Sequence, residues 1–296
     1  MKKKFLKYET IFSYTYLAPF LIAFTLFTIL PILISIFFSF TYFNVLEPPK
    51  WVFLNNYLKL FLSDDIFIVA IKNTLIIALL VGPLGYLMSL LFAWLINELT
   101  DSLRTVMVLV FYAPSISGGV YAIWSIIFSG DAFGYANSLL LYLGIINEPI
   151  QWLTDPDYML WLVIVVMLWM SLGAGFLSFV AGLKTIDQSY YEVGYIEGIR
   201  NRWQELWYIT LPCIRPQMMF GAVMAITNAF ASGAVTTALC GNPSTDYGAH
   251  TIINHLTDYG TTRFDMGYAC AIATVLFLLM FITNRVVQRA ISKIGQ

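Results

Sequence analysis

The chain has 296 residues, 59% of them hydrophobic and only 11% charged, with a formal net charge of −1. A typical soluble domain carries roughly a quarter charged residues, so this composition excludes an ordinary soluble domain, and no nucleic-acid partner is expected. No Asp, Glu, Lys or Arg occurs in 10–46, 73–97, 105–130, 158–183, 216–245 or 266–284. Each run reaches the roughly 20 residues a helix needs to cross about 30 Å of hydrocarbon. The fold class expected is therefore all-α: a polytopic membrane protein of six transmembrane helices in a single domain over 1–296.

The first span is placed at about 14–40, after the basic start "MKKKFLK". Its apolar stretch is longer than the h-region of a secretory signal, and no small-residue cleavage site follows, so it is read as retained. The second span covers about 70–97 and the third about 104–128. The third gathers Tyr112, Pro114, Ser115, Ser117, Gly118 and Gly119 near its midpoint. The fourth covers about 158–182, the fifth 217–240 and the sixth 266–288. In the fifth, Asn228, Ser232, Gly233, Thr236 and Thr237 collect in the same way. Small residues and a proline at mid-depth loosen a helix where it lines a cavity, although small residues also serve close helix packing. Tyr112, Ser115, Ser117, Asn228 and Ser232 are the candidate solute pathway. No span carries a charge near its middle, which suits a neutral solute.

Between the fourth and fifth spans, residues 183–216 break the pattern. "YYEVGYIEGIRNRWQELWYITLPCIRP" (190–216) holds Glu192, Glu197, Arg200, Arg202, Glu205 and Arg215. Ser189 and Glu192 have the spacing of a capping box and predict a helix start. Gly194 and Gly198 lie four apart on that helix and share a face. Two glycines there cost about 1 kcal/mol each relative to alanine, and a bare strip is worth that cost where another backbone or bulky side chain must come close. Asn201 with Gln204 predicts a second short helix, with Trp203, Leu206, Trp207 and Ile209 facing the membrane. A helix, a turn and a helix make a docking surface.

Lysine and arginine set the orientation. With the N-terminus cytoplasmic, the inside holds Lys2, Lys3, Lys4, Lys7, Arg104, Lys184, Arg200, Arg202, Arg215, Arg285, Arg289 and Lys293, against Lys50, Lys59, Lys72 and Arg263 outside. This satisfies the positive-inside rule. The cysteines Cys213, Cys240 and Cys270 fit no disulfide or zinc spacing and are read as packing residues. In "HTIINH", His250 and His255 lie about 140° apart on a helix, a poor metal clamp. They are read as two polar loop histidines, so a membrane-embedded metalloenzyme is disfavoured.

Glu192, then Gly198, then "ITLP" at 209–212 resembles the signature loop of permeases of binding-protein-dependent ABC importers. Val193 and Gly194 stand where that loop usually has alanines, Glu197 where it has aspartate, and Asp187 where proline is common. "FLNNYLKLF" with "IKNTL" (53–61, 71–75), "APSISGGVYAIWSIIFSG" (113–130) and "RFDMGYACAIA" (263–273) are similar to segments of the carbohydrate-uptake group. Within it the chain looks most like the first permease subunit of maltose- and glycerol-phosphate-type systems. The resemblance implies the type I ABC importer permease fold in a bacterial cytoplasmic membrane. It implies a second permease subunit, as a heterodimer, two cytoplasmic ATPase subunits, and an extracellular binding protein that delivers a sugar or oligosaccharide. Glu192, Gly194, Glu197, Gly198, Arg200, Leu211 and Pro212 would then form the ATPase-coupling segment of 183–216.

The chain has no GxxxxGK[ST] phosphate loop, so ATP and Mg are expected on a partner and no cofactor on this chain. Ion-coupled carriers usually place ionisable or unwound coordinating groups at mid-membrane. A secondary carrier of a small neutral solute is thereby the weaker alternative. The topology predicts both termini and 183–216 inside, with 129–157 and 241–265 outside. Glu148→Cys should react with a membrane-impermeant thiol reagent on intact cells, and Asn201→Cys only after permeabilisation. Labelling of position 201 on intact cells would invert the topology.

Overall fold

The computed structural model describes residues 14–293. The lysines of the basic start lie outside the described residues. Among the described residues, five helices are long and apolar enough to cross a membrane, and six if a pair bent by 84° counts as one span. The chain falls into two compact units: one of residues up to Ser63 with Leu256–Val275, the other Asp64–His255 with Leu276 onward.

The first unit begins with α1 (Tyr14–Phe38). Its stretch Thr25–Ile29 has wide turns, and Leu30 N–H donates to Thr25 O. The widening sits just before Pro31, which has no N–H to give. After α1, strand β1 (Thr41–Tyr42) pairs antiparallel with β2 (Lys50–Trp51). Helix α2 follows (Asn55–Leu62). Its Asn56 side chain donates to the carbonyls of Ser39 and Thr41, each at 2.9 Å, and Tyr57 donates to Ser39 Oγ at 2.7 Å. These bonds satisfy the irregular backbone between α1 and β1. The last helix begins against the same strand. Gly267 N–H donates to Phe43 O at 3.1 Å, and a Cβ on Gly267 would stand 2.0 Å from Thr41 O.

In the second unit, α3 (Asp65–Asn97) is capped by Asp64, whose carboxylate accepts from Phe67 N–H at 3.0 Å. The predicted third span is two helices, α4 (Asp101–Ile116) and α5 (Val120–Ile127), bent by 84°. This corrects the continuous helix expected over 104–128. Pro114 removes a helix hydrogen bond, and Gly118 and Gly119 give the chain freedom to turn. Outside the spans, α6 (Tyr135–Tyr142) is organised around one buried side chain. The Asn137 amide donates to the carbonyls of Ser129, Asp131 and Ile150 and accepts from Ile150 N–H and Trp152 Nε1.

The fourth span is α7 (Pro156–Trp169) and α8 (Ala174–Lys184), broken at 170–173. The charged loop forms α9 (Gln188–Ile196) and α10 (Arg202–Glu205), the latter widening over Leu206–Thr210 before Pro212. The fifth span is α11 (Arg215–Phe230) and α12 (Gly233–Cys240). After α13 (Ile252–Thr257), α14 (Met266–Ile291) is the sixth. One core cluster joins Ile77 and Val81 to Met159, Val163 and Val235. Another joins Ala93 and Ile96 to Phe176, Phe179, Leu211 and Met218. Lipid tails are as apolar as these side chains, so their association relies on close packing. A Cβ on Gly175 would stand 3.3 Å from Gly221 Cα, so α8 and α11 touch backbone to backbone.

The tightest contact of the first unit supplies a test. Gly267→Ala forces β1 or the start of α14 to move, and overpacking of this kind costs about 1–3 kcal/mol. The variant should unfold at a lower temperature in detergent than the parent. An unchanged Tm would mean that this contact relaxes freely.

Candidate functional site

Three spans break within the second unit, and the breaks meet. Ile116 ends α4; Met170, Ser171 and Gly173 form the gap between α7 and α8; Ala231 follows α11. All five residues line one cavity of about 360 Å³, together with Gly85, Tyr112, Ser115, Tyr121, Met224 and Asn228. Irregular backbone at membrane depth is tolerated where it lines a cavity, because its polar groups can be satisfied there. Local bonds do part of this work. Ser115 Oγ donates to Tyr112 O at 2.8 Å, and Gly173 N–H to Ser171 O at 2.8 Å.

The lining is uncharged. Its polar atoms are the phenols of Tyr112 and Tyr121, the hydroxyls of Ser115 and Ser171, and the Asn228 amide. Ser171 Oγ is buried with no partner among the described residues. Asn228 is exposed to the cavity, as an unpaired amide in hydrocarbon could not be. A few polar donors and acceptors among methionines and tyrosines can hold a neutral hydroxylated molecule. Toward α8, Phe179 lies over Gly221, whose Cβ would stand 2.6 Å from the Phe179 ring.

Of the five pathway residues read from sequence, the structure brings Tyr112, Ser115 and Asn228 together. Ser117 is exposed in the bend outside the lining. Ser232 is fully buried away from the cavity. Thr236 and Thr237 bind the Asn254 side chain at 2.7 and 2.8 Å, and so tie α12 to α13. Gly85 and Ser171 were missed. No local pattern marks them, because a helix break in one span and a glycine in another become neighbours only through packing.

The histidines are also corrected. His250 and His255 are buried, with Nε2 of the first 3.4 Å from Nδ1 of the second. His255 Nε2 meets the Asp64 carboxylate at 3.0 Å. The partner carboxylate is remote in sequence, and no spacing rule reaches it.

The charged loop keeps its predicted shape with two changes. Its first helix is capped by Asp187, not Ser189. The Asp187 carboxylate accepts from Ser189 N–H at 2.9 Å, and this backbone hydrogen bond holds its pKa below the usual value. Glu192 is exposed on that helix, Glu197 is its C-cap residue and Arg200 is exposed beyond it. The glycines do not form a bare strip. Gly194 is buried, and a Cβ there would stand 2.6 Å from Ile209 Cδ1. Gly198 has φ of +95° and open space around it. Ile199 N–H donates to Gly194 O and Gly198 N–H to Tyr195 O, the bonding of a Schellman helix end. One glycine thus serves packing inside the loop and the other its backbone turn. Asn201 caps α10 as expected, accepting from Gln204 N–H at 2.8 Å, while Gln204 accepts from Arg200 N–H at 2.9 Å.

The loop is fastened to the bundle. Leu211 is buried in the cluster with Ala93 and Ile96, and Pro212 follows it into the fifth span. Tyr191 Oη and Thr210 Oγ1 lie 3.0 Å apart, and burial pushes the Tyr191 phenol up. Arg202 bridges Glu98 at 2.5 Å and the buried Glu205 at 2.9 Å, and its bond to Glu205 holds its pKa up. Trp203 packs on Trp94 with ring centroids 5.4 Å apart. Arg202 and Trp203 thus tie α10 to the end of α3, whose middle lines the cavity.

Residues 82–295 match the family described as binding-protein-dependent transport system inner membrane component. The chain belongs to that family, a membrane-embedded transport component that spans the bilayer several times. It is 32% identical to the probable ABC transporter permease protein YesP of Bacillus subtilis over 94% of this chain and 90% of the relative. It is 30% identical to the lactose transport system permease protein LacF of Rhizobium radiobacter over 73% of this chain and 72% of the relative. It is similar in structure to a chain of a bacterial alginate ABC transporter, solved in complex with its alginate pentasaccharide-bound periplasmic protein. That match has a TM-score of 0.75 and 26% identity, and covers 99% of each chain.

The helix end at Gly198 predicts a difference between two substitutions. A side chain at positive φ costs about 1–2 kcal/mol, and asparagine tolerates that region best. Gly198→Leu should lower the Tm of the purified protein, and Gly198→Asn should lower it less. Equal values would show that the turn is not what the glycine serves.

Proposed function

We propose that this chain is one permease subunit of an ATP-driven importer that moves a sugar or oligosaccharide across a bacterial cytoplasmic membrane. An extracellular binding protein delivers the solute. A second, different permease subunit completes the pore, and two ATPase subunits holding ATP and Mg act on the loop at 183–216. Both termini and this loop face the cytoplasm. The observation that carries this reading is the convergence of three helix breaks on one uncharged, hydroxyl- and amide-lined cavity, in a chain of this family. Family membership and the sugar systems among its relatives support the solute class.

In this reading the cavity residues act by hydrogen bonding and contact alone. Asn228 offers a donor and an acceptor, Tyr112 and Ser115 a hydroxyl each, and Met170 and Met224 adaptable apolar surface. Glu192, Glu197 and Arg200 present charge to the ATPase. Gly194, Gly198, Leu211 and Pro212 give the loop its internal shape. Arg202 with Glu98 and Glu205, and Trp203 with Trp94, carry its displacement to α3.

The test is reconstitution of the co-purified complex in vesicles, with binding-protein-stimulated ATP hydrolysis and sugar uptake followed together. Asn228→Leu should leave subunit assembly intact. It should raise the sugar concentration for half-maximal uptake about 2- to 10-fold, as expected for one lost hydrogen bond. Unchanged uptake kinetics would remove Asn228 from the path. A chain that purifies from its native membrane without an ATPase would overturn the importer reading.

A further inference from the structure

The sequence between the first two spans does more than connect them. Helix α2 is amphipathic with two committed faces. Asn56 and Leu60 are buried, and Asn56 holds the backbone between α1 and β1. On the other side Leu54, Leu58 and Leu62, spaced four apart, point outward, with 57, 53 and 77% of their surface exposed. Asn55, Lys59 and Ser63 form the polar flank between these faces. A soluble surface helix would reverse this and turn its leucines inward.

The outward leucines continue the apolar surface of the first span. At its end, the Phe37 ring lies 5.7 Å from Trp51, and Trp51 lies 5.7 Å from Phe53. Phe53 immediately precedes Leu54 and is exposed. Phe37 itself is exposed at the end of α1, a 25-residue apolar span of which none of the most apolar window is buried. One unbroken strip thus runs from the hydrocarbon-crossing helix through Trp51 and Phe53 onto the leucine face of α2. Tryptophans gather at the headgroup level of bilayers. Helices with an apolar face and a polar flank lie in that plane with the apolar side sunk into the acyl boundary.

We infer that Trp51–Leu62 is a membrane-interface anchor, with the leucine face of α2 lying in the lipid leaflet where α1 ends. Its occupant is the phospholipid interface itself. By fixing the end of α1 through Asn56, the anchor sets the depth of the first span.

The test uses the assembled complex in lipid nanodiscs, with Cys213, Cys240 and Cys270 replaced and a fluorescent label on Leu58→Cys, Leu62→Cys or Asn55→Cys. Leu33→Cys, on the exposed face of α1, is the control for the span itself. Lipids carrying a nitroxide near the headgroup should quench labels at 58 and 62 strongly and the label at 55 weakly. Lipids with the nitroxide at the chain end should quench 33 most. Loss of quenching at 58 and 62 with retained quenching at 33 would overturn the anchor. If iodide then quenches those positions, the face is in water. If neither quencher reaches them, a protein subunit covers it.

Discussion

In hydrocarbon every backbone N–H and C=O must find a partner within the protein, and the arrangement of this chain follows from that requirement. It makes the spans helical. It also decides where they are allowed to break. The gaps at 117–119, 170–173 and 231–232 expose backbone groups that lipid could not satisfy. They border one cavity, where irregular backbone is tolerated at membrane depth.

The breaks also divide the labour along the bundle. Around the cavity the lining is small or flexible: Gly85, Ser171, Gly173, Met170 and Met224. Toward the charged loop the packing tightens, with Phe179 against Gly221 and the backbones of α8 and α11 in contact. Beyond lies a loop held by polar bonds as well as by apolar contacts of Leu211 and Trp203. Glu205 is buried, yet Arg202 satisfies it, as a buried carboxylate requires. The same Arg202 reaches Glu98 at the end of α3. The segments at the opposite end of the spans are organised by different means, through single buried amides. Asn137 holds the α6 region, the Asn73 amide nitrogen lies within hydrogen-bond distance of the carbonyls of Tyr247, Gly248 and His250, and Asn254 joins Thr236, Thr237 and Thr251.

Charge distribution and glycine chemistry separate two things a sequence pattern joins. Gly194 and Gly198 share a helical spacing, and spacing alone reads them as one surface. In the structure, Ile209 fills the space over Gly194, while Gly198 turns the chain. Glu192, Glu197 and Arg200 are exposed, together with apolar side chains such as Ile196 and Trp207.

The sequence by itself determined the membrane class, the two short helices of the charged loop and the Asn201 cap. These depend on composition and on neighbours three or four residues away, which the chain spells out locally. It also marked Tyr112, Ser115 and Asn228, because polar groups inside an apolar run are conspicuous. Only the tertiary structure decided that the third span bends by 84° at its glycines, that Ser171 and Gly85 join the cavity while Ser232 leaves it, and that His255 meets Asp64. Apart from the bend, which Pro114 and the glycines permit locally, those outcomes rest on contacts between residues far apart in the chain, and no periodicity along it encodes which faces of which helices will meet.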